Sequence, residues 1–175
     1  MRSIRQVHLL MTSVNRSMAK IQVGDRAPEF SATTQDGSMI QLSDFLAKGP
    51  VVLFFYPRDG TPVCTKEACS FRDSYKQFVD AGAAVLGVSS DSPQIHRDFA
   101  RQHGLPFPLI SDAGGALRKA FGVPRTLGVL PGRVTYVIDK DGTVRLIYSA
   151  QFASKEHVRQ ALRAVGADMQ ALHNT

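Results

Sequence analysis

The chain has 175 residues, 43% of them hydrophobic, and no apolar run near the ~18 residues that a membrane-spanning helix needs, so it reads as one globular domain with material for a full core. Its formal charge of +6 is unevenly placed: Arg2, Arg5, Arg16 and Lys20 lie in a first segment without acids, and 17 basic residues face 15 acidic ones in the rest. A near-neutral body without a basic, aromatic-interleaved stripe excludes nucleic-acid binding.

Residues 1–20 read as a disordered extension or an upstream start, with Met11 and Met18 as further initiators. An arginine- and serine-containing segment without acids also has the composition of an organelle-targeting peptide. Two cysteines and no signal peptide point to a reducing, cytoplasmic compartment, where a cysteine pair is more often catalytic or metal-binding than structural.

The folded domain is expected over residues 21–170. Ile21 to Phe30 reads as a lead-in, Thr33 to Leu42 as a hairpin turning at Asp36 and Gly37, and Ser43 as the cap of a short helix from Asp44 to Lys48. Val51 to Tyr56 is a continuous β-branched and aromatic run between two prolines, as in a strand buried on both faces. Pro57 cannot extend its ladder, so Arg58, Asp59 and Gly60 form a loop. Thr61 then caps a helix opened by Pro62 and expected to run to about Ala81, with Gly82 as its stop. Ala68, Phe71, Tyr75, Phe78 and Val79 form its apolar stripe, opposite Lys66, Glu67, Arg72, Asp73 and Lys76.

Ala84 to Ser89 is a second buried strand. Ser92 and Pro93 open a helix with Ile95, Phe99 and Ala100 inward and Gly104 at its end. Leu109 to Ser111 is a short extended piece, and Asp112 to Phe121 holds another short helix. Val123 to Gly132, apolar and rich in proline and glycine, is a loop suited to line a substrate entrance. Arg133 to Ile138 and Thr143 to Ser149 form a hairpin around Asp139–Gly142, and Ser154 caps a last helix with Val158, Ala161, Leu162 and Val165 inward. Strands alternating with helices, with a terminal hairpin, give an α/β layered fold.

Both cysteines belong to the helix after the central strand. Cys64 falls in its first turn, where unpaired N–H groups and the helix dipole favour a negative charge and hence the thiolate. Cys69 is five residues on, which along a helix separates the Cα atoms by about 8.6 Å. A disulfide tolerates at most about 6.8 Å, so the two can pair only if the helix start unwinds. A lone C-x4-C offers too few ligands for a metal, and no histidine cluster completes it. His96, His103 and His157 fall on helices away from these cysteines and read as surface or packing residues, with His8 and His173 in the tails. Buried cysteine is common, so on packing grounds alone Cys69 is a core residue as readily as a catalyst. Thr61 alone reads as a helix cap and Glu67 as a solvated helix residue.

Pro57, Thr61, Pro62 and Cys64 match the P-x-x-x-T-P-x-C signature of peroxiredoxins, and Cys64 to Cys69 resembles the C-T-x-E-A-C of the Q type, also called bacterioferritin comigratory protein. The similarity runs from G-D-x-A-P-x-F at Gly24–Phe30 to G-R-V-T-Y-V-I-D at Gly132–Asp139 and covers residues 21–165. The resemblance implies a thioredoxin fold of the peroxiredoxin type, a central mixed sheet flanked by helices with an N-terminal hairpin. It implies a peroxidase for hydrogen peroxide and organic hydroperoxides that uses no cofactor beyond its cysteines. Cys64 would be the peroxidatic cysteine and Cys69 the resolving one, joined in an intramolecular disulfide that thioredoxin or a similar dithiol reopens. Thr61 would hold the peroxide, Arg133 would supply a second donor and positive charge, Pro57 would shield the site and Glu67 would support the arginine. Arg125, in the adjacent loop, competes with Arg133 for that place. The subfamily resemblance leans towards a monomer. A thiol:disulfide oxidoreductase is an alternative, though its usual C-x-x-C is absent, and a redox sensor or holdase is another.

Overall fold

The computed structural model describes residues 20–126 and 128–166, so all of the expected extension except Lys20, and the domain beyond residue 166, lie outside the described residues. The run between the two prolines forms β3 (Val51–Phe55), every residue of it buried. It sits at the centre of a five-stranded mixed sheet whose order places β4 (Ala84–Ser89) and β5 (Leu109–Ser111) on one side, β8 (Val134–Ile138) and β9 (Val144–Ser149) on the other. β4 and β5 run parallel to β3, whereas β8 is antiparallel to it.

The period-2 alternation of β3 divides the core. Val51, Leu53 and Phe55 face a cluster with Leu42 and Leu46 of α1 (Leu42–Leu46) and Leu117 of α5 (Ala116–Ala120). Val52 and Phe54 face Phe71 of α2 (Pro62–Asp73), Phe78 of α3 (Tyr75–Asp80), Phe99 of α4 (Pro93–His103), and Val158 and Leu162 of α6 (Ser154–Ala164). Phe54 stacks on Phe71 with ring centroids 4.3 Å apart. Gly87 of β4 makes room for that ring, because a Cβ there would lie 2.8 Å from both Phe54 and Leu109. The expected N-terminal hairpin is β1 (Ser31–Thr33) with β2 (Met39–Gln41).

Several local expectations are corrected. The helix expected to run to Ala81 breaks at Ser74, whose ψ of 5° interrupts the ladder between α2 and α3. The first short helix starts at Leu42 rather than beyond Ser43, because Leu42 and Leu46, one turn apart, are both buried. In α4 the inward residue is His96, not Ile95, which is 46% exposed; the ring finds buried partners in Asp59 and the Ile110 carbonyl. Ser154 is the first residue of α6 rather than its cap, and its hydroxyl donates to the Val63 carbonyl of α2. The proline- and glycine-rich loop contains a two-residue ladder, β6 (Arg125–Thr126) with β7 (Leu130–Pro131). Among the described residues, no helix is long and apolar enough to cross a membrane.

Candidate active site

Register brings the site together. Because β8 is antiparallel to β3, Val134 pairs with Phe55, and Arg133 therefore enters beside the end of β3, where the chain turns into Pro57 and the loop before α2. Gly132 is required just before it, since a Cβ there would overlap the Pro124 carbonyl oxygen. Arg133 is only 2% exposed and divides its guanidinium among three partners. Nη2 donates to Cys64 Sγ at 3.1 Å, Nη1 to Glu67 Oε2, and Nε to the Gln151 carbonyl at 2.9 Å. Burial opposes its charge, but Glu67 and Cys64 more than offset this and hold the guanidinium above its ordinary range. Arg125, the competing arginine, is exposed on β6.

Cys64 is the third residue of α2 and is buried. Helix geometry leaves the N–H groups of Val63 and Cys64, in the first turn that also carries the sulfur, without intrahelical acceptors. Thr61 occupies the cap position but does not cap; its hydroxyl donates to the Arg58 carbonyl at 3.1 Å and keeps its lone pairs free. Pro57 is half-buried at the start of the same loop. Cys69 lies half-buried on the same unbroken helix, and both cysteines are free thiols.

Glu67, expected on the polar face, is fully buried because α2 packs against α6 on that side. Burial pushes its carboxyl up to about 7, against the opposing pull of Arg133. Its Oε1 has no hydrogen-bond partner and lies 3.6 Å from His157 Nδ1. His157 is not a surface residue remote from the motif. It is buried on α6, with Nε2 2.8 Å from the Ala150 carbonyl and Nδ1 2.8 Å from the Thr135 hydroxyl. Burial, the largest influence, brings its imidazole down to about 4.

His96 is corrected in the same way: its Nδ1 lies 2.6 Å from Asp59 Oδ2, inside the loop that leads into α2. Tyr56 donates to the other oxygen of Asp59 at 2.6 Å, and the Asp59 N–H donates to Asp91, which also accepts from Ser89. Asp59, Asp91 and His96 could converge on a cation, but these hydrogen bonds already engage their facing atoms and fix the loop. His103 alone is remote, half-buried against Phe99.

Arg118 was not anticipated. Nη1 donates to the Gly132 carbonyl at 2.8 Å and Nη2 to the Tyr56 carbonyl at 2.9 Å, so one guanidinium joins the residues that precede Arg133 and Pro57. Sequence offers little sign of it, and Gln151 acts through a carbonyl that carries no side-chain signal. His157 and His96 did have a signal: each stands on the inward helical stripe, at i−4 to Ala161 and i−3 to Phe99.

Residues 23–147 match the AhpC/TSA family. A chloroplastic peroxiredoxin Q of Populus jackii is 51% identical over 150 residues, 85% of this chain and 70% of its own length. The crystal structure of peroxidoxin BcpB from Mycobacterium tuberculosis superposes with a TM-score of 0.78 at 40% identity, covering 83% of this chain and 97% of that one. A bacterioferritin comigratory protein of Xanthomonas campestris, studied for alkyl peroxide reduction, gives 0.69 at 33% identity over 77% and 90% of the two chains. The cysteine, arginine and helix end thus stand on a thioredoxin fold shared with these proteins, and the chain belongs to the AhpC/TSA family as a peroxiredoxin of the Q type.

Proposed function

We propose that the chain reduces hydrogen peroxide and organic hydroperoxides at Cys64, with Cys69 as resolving partner and thioredoxin or a similar dithiol as reductant. The observation that carries this is the Arg133 guanidinium 3.1 Å from Cys64 Sγ, at a helix end with open N–H groups. The Cys64 thiolate attacks the terminal peroxide oxygen; the S–O bond forms, the O–O bond breaks, and an alcohol or water leaves after taking a proton. Arg133 and the open N–H groups donate where negative charge develops on the peroxide oxygens. The Thr61 hydroxyl, its own proton engaged by the Arg58 carbonyl, accepts from the O–H of the bound hydroperoxide. Glu67 holds Arg133 in place and Pro57 keeps water from the sulfur.

The sulfenic acid then condenses with the Cys69 thiol, releasing water and forming a disulfide, and a dithiol returns two electrons. No cofactor takes part, and the protein works as a monomer built on residues 21–170. Its compartment is a reducing one, the cytoplasm, with an organelle such as the chloroplast of its plant relatives as the alternative. The test is the intact mass of wild type and Cys69→Ser after one equivalent of hydrogen peroxide with a sulfenic-acid trap. Loss of two hydrogens in wild type and a trapped adduct on Cys64 in the variant are expected. Adduct formation in wild type without a disulfide would remove Cys69 from the reaction, and retention of activity by Cys64→Ser would overturn the reading.

A further inference from the structure

One buried group is left over by this mechanism: Glu67 Oε1, fully enclosed and without a hydrogen-bond partner. The polar atom facing it is His157 Nδ1 at 3.6 Å. The Ala150 carbonyl can only accept, so the ring proton of a neutral His157 resides on Nε2, and Nδ1 presents a lone pair. Two acceptors facing each other away from water are unfavourable, and a proton on either one turns the contact into a hydrogen bond. Thr135, which can donate or accept at Nδ1, adapts to both states.

The charges around this contact are Arg133, shared between Glu67 and Cys64; Arg118, which approaches the sulfur side; and Glu156, near His157 on α6. While Cys64 is a thiolate, a protonated Glu67 leaves Arg133 balanced by one anion. Once sulfur is oxidised to the neutral sulfenic acid, the buried guanidinium has no counter-charge unless Glu67 ionises.

Resting on the peroxidase reading, we propose that Glu67 and His157 form a proton-holding pair that releases its proton as Cys64 is oxidised, so that the buried negative charge facing Arg133 passes from sulfur to carboxylate. The balance is closed: thiolate, hydroperoxide and protonated Glu67 give sulfenic acid, alcohol and ionised Glu67, the sulfur electron pair breaks the O–O bond, and the departing oxygen gains in net the proton that the pair loses. Neither side chain touches the peroxide; both are positioning residues acting through Arg133. Burial of both groups agrees, raising the carboxyl and lowering the imidazole, which leaves the proton on Glu67 in the reduced state.

The chain has three glutamates, Glu29, Glu67 and Glu156, so side-chain carboxyl 13C labelling of glutamate gives three NMR signals, assigned through Glu29→Gln and Glu156→Gln. In reduced Cys69→Ser at about pH 6, the Glu67 carbon is expected at the position of a protonated carboxyl and the other two as carboxylates. One equivalent of hydrogen peroxide should move it to the carboxylate position while the mass reports the sulfenic acid. His157→Gln keeps a donor for the Ala150 carbonyl but lacks Nδ1, and should lower the Glu67 titration midpoint. A Glu67 signal already ionised in the reduced protein, or unmoved when the mass shows Cys64 oxidised, overturns the proposal. If peroxide leaves the mass unchanged, the peroxidase reading fails instead.

Discussion

At the scale of single residues, Arg133 and Arg118 divide the work that the sequence motif assigns to one arginine. Arg133 meets the sulfur, and Arg118 joins the carbonyls of Tyr56 and Gly132 that immediately precede Pro57 and Arg133. Its guanidinium also lies 5.7 Å from the centre of the Phe55 ring, which fixes its plane. Removing it in Arg118→Met leaves two inward carbonyls without a donor, at a cost of about 1–3 kcal/mol in urea unfolding. It also frees the Cys64 loop to drift from Arg133, and misplacement of that order lowers kcat/KM by up to about a hundredfold. Arg118→Lys, which retains the charge but cannot reach both carbonyls in the same planar way, should recover little of the activity. Full recovery by lysine would show that charge, not the bridge, is what the site takes from Arg118.

At the scale of elements, α2 carries both cysteines on one unbroken helix, so closing the disulfide must open its first turns. The opening has a natural limit at Phe71, which is fully buried and stacked on Phe54. Amide exchange in the disulfide form should therefore accelerate from Val63 to Ser70 and stay slow beyond Phe71; unchanged protection over the first stretch would contradict a Cys64–Cys69 bond. This helix also marks how far sequence reading reaches. The order of elements and the buried strand were legible because turn residues and hydrophobic periods are local signals, and the spaced motif is what named Cys64, Thr61 and Arg133 as candidates. The break at Ser74, the burial of Glu67 and the inward turn of His157 were not, since each depends on which face α6 and α4 press against. Polar residues on an amphipathic helix look solvated until a distant element covers them.

At the scale of the whole molecule, the site lies where β3 ends, and the two buried titrating groups beside it tie the stability of the fold to pH. Burial lowers His157 from 6.5 to about 4, so the unfolded chain binds a proton that the folded protein refuses. The stability this gives is complete above 6.5 and is lost as pH falls towards 4. Glu67 is raised from 4.5 to about 7, so its contribution is complete below 4.5 and is lost as pH rises through 7. Between 4.5 and 6.5 the two slopes oppose each other and cancel. Reduced wild type should therefore show little pH dependence from this pair in that window. Glu67→Gln should grow more stable with rising pH and His157→Gln less stable, each by about 1.4 kcal/mol per pH unit at most. The double variant should again be flat. Urea midpoints of the four proteins at three pH values within the window decide this, and parallel slopes for the two single variants would show that the groups do not titrate as buried neutral partners.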